Sequence, residues 1–394
     1  MATRAAAERE GQTDLEGRAA RVLPGGVARN VAYVPPHPPY IVRGEGCEIE
    51  DIAGRRLIDL QNNYTTLVHG HAHPRIVAAA TQAFADGSCF GLPTPYEVAF
   101  AEELTARFPT LEQMRFTNSG TEAVMMALRL ARHVTGRSKV MRFAGAYHGS
   151  YDAVIDASGR SPGLTNEVVV VPYGDVDAVR AALRDQGEQL AAVLFDPLPN
   201  RLALQEPSGE FLSVLQRDAR AHGALLIVDE VITGRLAFEG FHRVYGLEPD
   251  LVTLGKMIGG GLPIGAFGGP ATVMAGLDPK TPGTTTQSGT FSANPATLRA
   301  GMEAMRLLDQ AAVDHLNHLG DLLRQELAAH GFQVRGRGSL VRLVVDDQPD
   351  RLWWRLYERG LAVGSNLLLC TSTAMTEQTI EDVARRCAGL AVGD

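Results

Sequence analysis

Cysteine is scarce in this chain and never paired in the sequence. Cys47, Cys89, Cys370 and Cys387 stand far apart, with no Cys-x-x-Cys pair and no cysteine–histidine group at zinc spacing. A disulfide-stapled fold and a structural zinc site are therefore not expected, and the thiols read as the reduced thiols of a cytoplasmic protein. No uninterrupted apolar run reaches the roughly 18 residues that a membrane helix needs. The polar start MATRAAAEREGQTDLEGRAARVLPGG lacks the apolar segment of a secretory signal. A basic excess is missing too. The 37 Lys and Arg are outnumbered by 45 Asp and Glu, and the net charge is −8. That weighs against a nucleic-acid or membrane partner and leaves room only for a local anion pocket. GxGxxG and the Walker pattern are absent around the glycine-bearing helix starts, so NAD and ATP are not indicated. There is no internal repeat and no low-complexity segment.

What is present is ordinary globular material. Hydrophobic residues make up 45% of the 394 positions and charged residues 21%, so a large core can form without cross-links or metal. Residues 1–23 read as an end segment followed by a short helix, and PGG (24–26) and VPPHPPY (34–40) punctuate a loop. YIVRGEGCEIEDIAGRRLIDL reads as two or three short strands with a turn at Ala53-Gly54. From about residue 75 to 300 helical stretches such as 96–108 and 121–135 alternate with short apolar runs. The runs are KVMRF (139–143), EVVVVP (167–172), AAVLFDP (191–197), ALLIVDE (224–230) and DLVTLGK (250–256). Apolar throughout and separated by helical lengths, they suit a parallel sheet covered on both faces. A long amphipathic helix is expected over 296–328, then an α+β stretch with LVRLVV as a strand. The expected organisation is an N-terminal segment, 1–65, that joins a C-terminal α+β domain, 301–394. Between them lies a large α/β domain, 66–300.

Three stretches carry chemistry. In FTNSGTEAVMMALRLARHVTG (116–136), Ser119, Gly120 and Thr121 open a helical run. Small hydroxyls and a glycine at a helix start leave N–H groups at the positive end of the dipole, a place for phosphate; the plainer reading is an ordinary N-cap with Glu122 in the first turn. In LLIVDEVITG (225–234) an apolar strand ends in Asp229 and Glu230, where open α/β sheets bind ligands; a strand-end acid that only caps the next turn is the alternative. In LVTLGKMIGGGLPIGAFGG (251–269) Lys256 also follows an apolar run. Lone lysines are mostly solvated, but this one has apolar residues on one side and glycines on the other. An amine in a pocket is a Schiff-base nucleophile, and the glycines let backbone approach a flat ligand. A phosphate cradle, a strand-end carboxylate and a pocketed lysine together suggest pyridoxal 5′-phosphate.

At these residues the chain resembles the class III pyridoxal-phosphate aminotransferases, and within them the glutamate-1-semialdehyde aminomutase-like group. NSGTEA, AYHG, DEVITG, LGKMIGGGLPIGAFGG and SGTFSANP occur in the family's order, and the likeness runs from PGGVARN to the C-terminus. It implies fold type I: a mainly parallel seven-stranded sheet in a large α/β domain, a small α+β domain from both termini, and a homodimer with shared active sites. It implies Lys256 as the lysine that carries the cofactor, Asp229 as the carboxylate on the pyridine nitrogen and Val231 beneath the ring. Tyr147 would stack above it, Ser119, Gly120 and Thr121 would cradle the phosphate, and Thr290 would reach the neighbouring subunit's phosphate. Arg29, in PGGVARN, falls where this group keeps a substrate-carboxylate arginine; a surface arginine in a loop is the alternative.

The chain departs from the pattern in several places. The span from Tyr151 to Val170 is short where the aminomutases carry a long lid. TGFR is here TGRL, which displaces Arg235 by one position, and EPV reads DPL at 196–198. Arg342 interrupts an apolar strand, and residues 361–382 show no acid at the place where mutases usually keep one. Substrate-facing loops are expected near Arg29, Tyr64, Phe90, Tyr151 and Asn366. The expectation is an aminotransferase moving an amino group between an amine or amino-acid donor and a carbonyl acceptor by a ping-pong mechanism. An aminomutase, or another carbanion reaction on the same fold (decarboxylation, racemisation or carbon–carbon bond formation), is the alternative.

Overall fold

The computed structural model describes residues 14–155, 167–345 and 348–391. The first strands in chain order are β1 (Ile41–Glu45), β2 (Glu48–Asp51), β3 (Arg56–Asp59), β4 (Gln113–Thr117), β5 (Lys139–Phe143), β6 (Val168–Val171) and β7 (Leu190–Phe195). There follow β8 (Leu225–Asp229), β9 (Leu251–Gly255), β10 (Gly265–Gly269), β11 (Gln333–Arg337), β12 (Leu340–Val344), β13 (Leu361–Ala362) and β14 (Leu368–Cys370). The chain divides into two compact units, Pro74–Val313 and the two terminal stretches up to His73 and from Asp314.

The central unit is built on a seven-stranded sheet of order β4-β10-β9-β8-β7-β5-β6. The runs around β5 to β9 alternate between two buried faces. Ala192 and Leu194 pack with Ile227, Leu251 and the helix Gly120–Thr135. Val193 and Phe195 pack the other way, against Phe211, Leu215 and Leu183. Burial on both sides is why these strands are apolar at most positions. β10 is antiparallel to both β4 and β9, while β9, β8, β7, β5 and β6 are parallel to their neighbours. Six strands therefore point one way and β10 the other, the mixed α/β sheet of a fold type I transferase.

Two strands escaped the apolar pattern. β4 is QMRFT and β10 is GAFGG. In β10 glycine is demanded by crowding. A Cβ on Gly265 would lie 2.0 Å from the Ser119 carbonyl oxygen, and one on Gly268 2.4 Å from that of Gln113. The single helix expected over 296–328 is two, Pro295–Leu307 and Gln310–Ala329. The break has a local cause: Leu308 leaves the helical region, and the Asp309 carboxylate accepts from the Ala312 N–H at 2.8 Å, starting a new helix.

The terminal unit holds two small sheets. One has the order β1-β2-β3-β13, antiparallel except for the β3–β13 pair; the other is antiparallel, β11-β12-β14. Leu319, Leu323 and Leu327, four residues apart on one helix face, pack with Val341, Leu343, Leu369, Trp353 and Ile380. Among the described residues no helix is long and apolar enough to cross a membrane.

Candidate active site

Strand direction gathers the site in the central unit. β8 ends at Asp229, and β9 ends at Gly255 with Lys256 next. The two strands are parallel, with Asp229 opposite Thr253. β4 runs the same way, since β10 opposes both β4 and β9, so the start of the helix Gly120–Thr135 comes to the same sheet edge. That edge is the carboxyl end, where open α/β sheets bind ligands.

Asp229 is buried and held by three donors. His148 Nδ1 lies 2.7 Å from Oδ2; the Val231 N–H and the Thr253 hydroxyl donate to Oδ1 at 3.1 and 3.0 Å. Burial alone would raise its pKa, but the hydrogen bond and charge of His148, with the other two donors, more than offset this, and the carboxyl is held below its ordinary value. Asp229 is thus an anion inside the protein. The acid beside it has another task. Glu230 accepts from the Phe241 and His242 N–H groups and from His242 Nδ1, and so fixes the turn after β8.

Lys256 has φ 46°, a left-handed conformation that a side chain of its kind rarely adopts. The residue before it, Gly255, lies close against Val231. A Cβ on Gly255 would meet Val231 Cγ1 at 3.3 Å and the Ile264 carbonyl oxygen at 3.4 Å. A Cβ on Gly120 would lie 2.8 Å from Val231 Cγ1. Val231, Gly120 and Gly255 therefore form one tight floor at the strand ends.

At the helix start, Ser119 Oγ accepts from the Glu122 N–H at 3.1 Å, and Glu122 Oε2 reaches back to the Asn118 N–H at 2.8 Å. Glu122, which sequence reasoning left without a chemical step, is a helix-start clamp. The Gly120 and Thr121 N–H groups are the first two of the helix and have no acceptor within it. Gly149 packs against this start: at φ 105°, its added Cβ would lie 2.4 Å from Thr121 Oγ1. The turn Tyr147–Gly149 is thereby pinned over the helix end. Tyr147 is exposed, and the Arg201 guanidinium stands 4.4 Å from its ring centroid.

Three participants were missed by sequence reasoning. His148 was read only as part of AYHG, yet its side chain is fully buried, and Nε2 has no hydrogen-bond partner among the described residues. Thr253, inside an apolar strand, is legible only once its register with Asp229 is known. Asp196, in the DPL departure, sits one residue past β7. It is buried, accepts from the Leu198 N–H at 2.9 Å, and has its pKa pushed up to about 7. Burial is the chief cause, and the charge of Asp229 adds to it against the opposing effects of His148, the Leu198 N–H and Lys256.

Thr290 is exposed in the loop before the helix Pro295–Leu307, and its carbonyl accepts from the Cys89 thiol at 3.6 Å. Arg29 belongs to the terminal unit, where Nη2 donates to Asn63 Oδ1 at 2.7 Å. It lines a cavity of about 180 Å³ together with Tyr64, Trp353, Tyr357 and Ser365. Arg342, on β12, has buried Nε and Nη1 atoms, and burial lowers its basicity. Arg235 is fully buried in the turn Thr233–Leu236. Within the span Tyr151–Val170 expected to form a shortened lid, residues 156–166 lie outside those described.

The cluster can be tested against pyridoxal phosphate. The group needs an anion beside its ring nitrogen, and Asp229 is one. A carboxylate has about four lone-pair sites; three are used here, which leaves one for a protonated ring nitrogen. The group needs N–H donors for its phosphate, and the helix start offers them. It needs a close floor, which Gly120 and Gly255 keep open above Val231. The residues fit.

The comparisons agree. The family model described as Aminotransferase class-III matches residues 30–379. Glutamate-1-semialdehyde 2,1-aminomutase of Methanothermobacter thermautotrophicus is 41% identical over 348 residues, 84% of this chain and 82% of that protein. The crystal structure of an omega-transaminase from Sphaerobacter thermophilus matches with a TM-score of 0.91, 40% identity and 96% coverage of both chains. A transaminase solved with pyridoxal phosphate bound matches with a TM-score of 0.94, 38% identity and 97% coverage of both. The family match spans most of the chain, and with the ionised Asp229 and the open helix start it places this protein among the class III aminotransferases, with pyridoxal phosphate as its cofactor.

Proposed function

We propose that the protein moves an amino group from an amine or amino-acid donor to a carbonyl acceptor in two separate half-reactions. The observation that carries this reading is the cluster of Lys256, the ionised Asp229 and the open helix start on one edge of the sheet. Bound pyridoxal phosphate supplies an electrophilic carbon for the amine and a ring that draws electrons from the carbon losing its proton. The chain supplies the rest. Lys256 Nζ is the amine that anchors the cofactor. Released and neutral, it is the base that takes the proton from the amine-bearing carbon and gives it up again nearby. Asp229 holds a proton on the ring nitrogen by its negative charge, and His148, Thr253 and the Val231 N–H keep it ionised. The Gly120 and Thr121 N–H groups and the Ser119 and Thr121 hydroxyls hold the phosphate, Val231 supports the ring from below and Tyr147 covers it. Arg29 takes a substrate carboxylate through paired, charge-assisted hydrogen bonds.

The working unit in this reading is a homodimer in which Thr290 serves the partner's phosphate. Phe84, Phe90, Leu92, Val98 and Phe291 are exposed apolar side chains of the same unit as Thr290, available to a partner subunit. A cytoplasmic location accords with four cysteines that form no disulfide.

A second reading has its own support. The aminomutase relative is as similar in sequence as the omega-transaminase is, and a mutase would use the same Lys256 and Asp229 while retaining its intermediate. One experiment separates the two. A single donor is added without acceptor, and both the cofactor absorbance and the released products are followed. Two half-reactions predict one carbonyl product per site, a halt, and restart when an acceptor is added, with parallel-line kinetics. Continuous conversion of one compound to its positional isomer, without acceptor and without released carbonyl, would establish the mutase instead.

A further inference from the structure

The terminal unit contains a strained turn that the reaction does not explain. Asn62, Asn63, Tyr64 and Thr65 have φ values of 48°, 47°, 53° and 75°. Four successive residues are left-handed and none is glycine, although each such residue is unfavourable for an L side chain. The surroundings hold the turn in place. Asp59 Oδ1 accepts from the Gln61 and Asn62 N–H groups at 2.8 and 2.9 Å, and His71 Nε2 lies 2.7 Å from Asp59 Oδ2. Asn62 Nδ2 donates to the Cys370 carbonyl at 2.9 Å.

The turn does not bury its second residue, since Asn63 is exposed. What it does is aim two successive side chains at the loop that carries Arg29. Asn63 Oδ1 accepts from Arg29 Nη2 at 2.7 Å; Tyr64 donates its hydroxyl to the Val31 carbonyl at 2.7 Å and meets Ser365 Oγ at 2.9 Å. One contact orients the guanidinium and the other fixes the backbone two residues on. The acceptor chosen is an amide oxygen. It takes one of the five guanidinium N–H groups and neutralises none of the charge, so the rest of the planar fork keeps its full attraction for an anion.

We propose that the left-handed turn Asn62–Thr65 is a preformed clamp for Arg29, and that Asn63 is the positioning residue that sets the preference for a carboxylate-bearing substrate. The proposal rests on the reading of Arg29 as the carboxylate ligand. Asn63 acts through Arg29 and does not itself meet the substrate. An acidic residue in its place would occupy the guanidinium with an internal ion pair.

The test compares kcat/KM for an amino-acid donor with that for the primary amide of the same donor, which has the same shape without the charge. Asn63→Gly removes the acceptor and suits the left-handed backbone, so folding is preserved; an unchanged melting temperature checks this. The expected result is a loss of about 3- to 10-fold in the carboxylate-over-amide ratio, carried by KM with kcat little changed. Asn63→Asp should lower the ratio further, and Arg29→Ala should bring it close to one. If Arg29→Ala removes the preference while Asn63→Gly and Asn63→Asp leave it intact, the clamp is wrong and the arginine reading stands. If Arg29→Ala leaves the preference intact, the arginine reading itself fails, and the clamp with it.

Discussion

His148 Nδ1 lies 2.7 Å from Asp229 Oδ2, and both side chains are buried. One imidazole thus provides the strongest of the three restraints on the anion at the centre of the site. The ionised Asp229 can only accept, so Nδ1 is the donor, and Nε2 has no hydrogen-bond partner among the described residues. The ring is therefore a fixed donor toward Asp229.

The first prediction follows from that bond. Burial by itself raises the pKa of Asp229, and His148 is the main opposing influence. In His148→Ala the Asp229 pKa should rise, and the carboxylate form should disappear at a higher pH than in the native protein. The acid limb of the kcat/KM profile should move upward, with turnover reduced roughly 10- to 100-fold. His148→Gln, which keeps a donor, should recover part of the shift. An acid limb that stays put in His148→Ala would show that the bond does not govern the ionisation of Asp229.

Asp196 provides the second prediction, with the opposite sign. Its folded pKa, about 7, lies above the ordinary carboxyl value because of burial and the charge of Asp229. The folded protein therefore holds a proton that the unfolded chain releases near pH 4. The stabilising contribution is complete below that pH and is lost as pH rises through about 7. Asp196→Asn keeps the shape without the charge. It should gain roughly 1–3 kcal/mol relative to the native chain between pH 5 and pH 8, measured by urea unfolding at both values. Equal differences at the two pH values would place the ionisation elsewhere.

The sheet and the site were unequally legible in the sequence. The runs around β5 to β9 could be read because strands covered on both faces are apolar at most positions. β10 could not: the crowding that packs it against Ser119, Gln113 and Asp250 selects glycine, and a glycine-rich segment reads as a loop. Lys256 and Asp229 stood out because each ends an apolar run. His148 and Thr253 did not, because their roles depend on pairing across strands, which no local spacing encodes. Glu230 adjoined Asp229 in the sequence with the same charge, and only the direction of its side chain, toward His242, separates the two.

The sequence contains Lys139, Lys256 and Lys280 as its lysines, which makes the third prediction sharp. Lys139 Nζ already donates to Gln186 Oε1 at 2.8 Å, and Lys280 lies exposed in a loop. Borohydride reduction of the holoenzyme followed by peptide mapping should place the cofactor on Lys256. Lys256→Ala should keep its fold, lose the reducible linkage, and turn over at least about a thousandfold more slowly, because both the anchor and the base are gone. A reduced label on Lys139 or Lys280 would remove Lys256 from the mechanism.

Gly120 offers a last prediction that separates cofactor binding from chemistry. A Cβ there would stand 2.8 Å from Val231 Cγ1 and 2.9 Å from Cγ2, closer than side-chain carbons approach. The helix start cannot retreat easily, since Ser119 and Glu122 clamp it. Val231 must give way, and its movement narrows the space that Gly120 and Gly255 keep open above it. Gly120→Ala should therefore weaken pyridoxal phosphate binding about tenfold or more, a loss near 1.4 kcal/mol, measured by titrating cofactor into the apoenzyme. Saturated with cofactor, the variant should regain much of its turnover, because Lys256 and Asp229 are untouched. Gly120→Ala with Val231→Ala should recover part of the lost affinity, since the smaller residue removes the clash even as it gives up some support beneath the ring. If the double variant binds no better than the single one, the tight floor is not what sets the affinity.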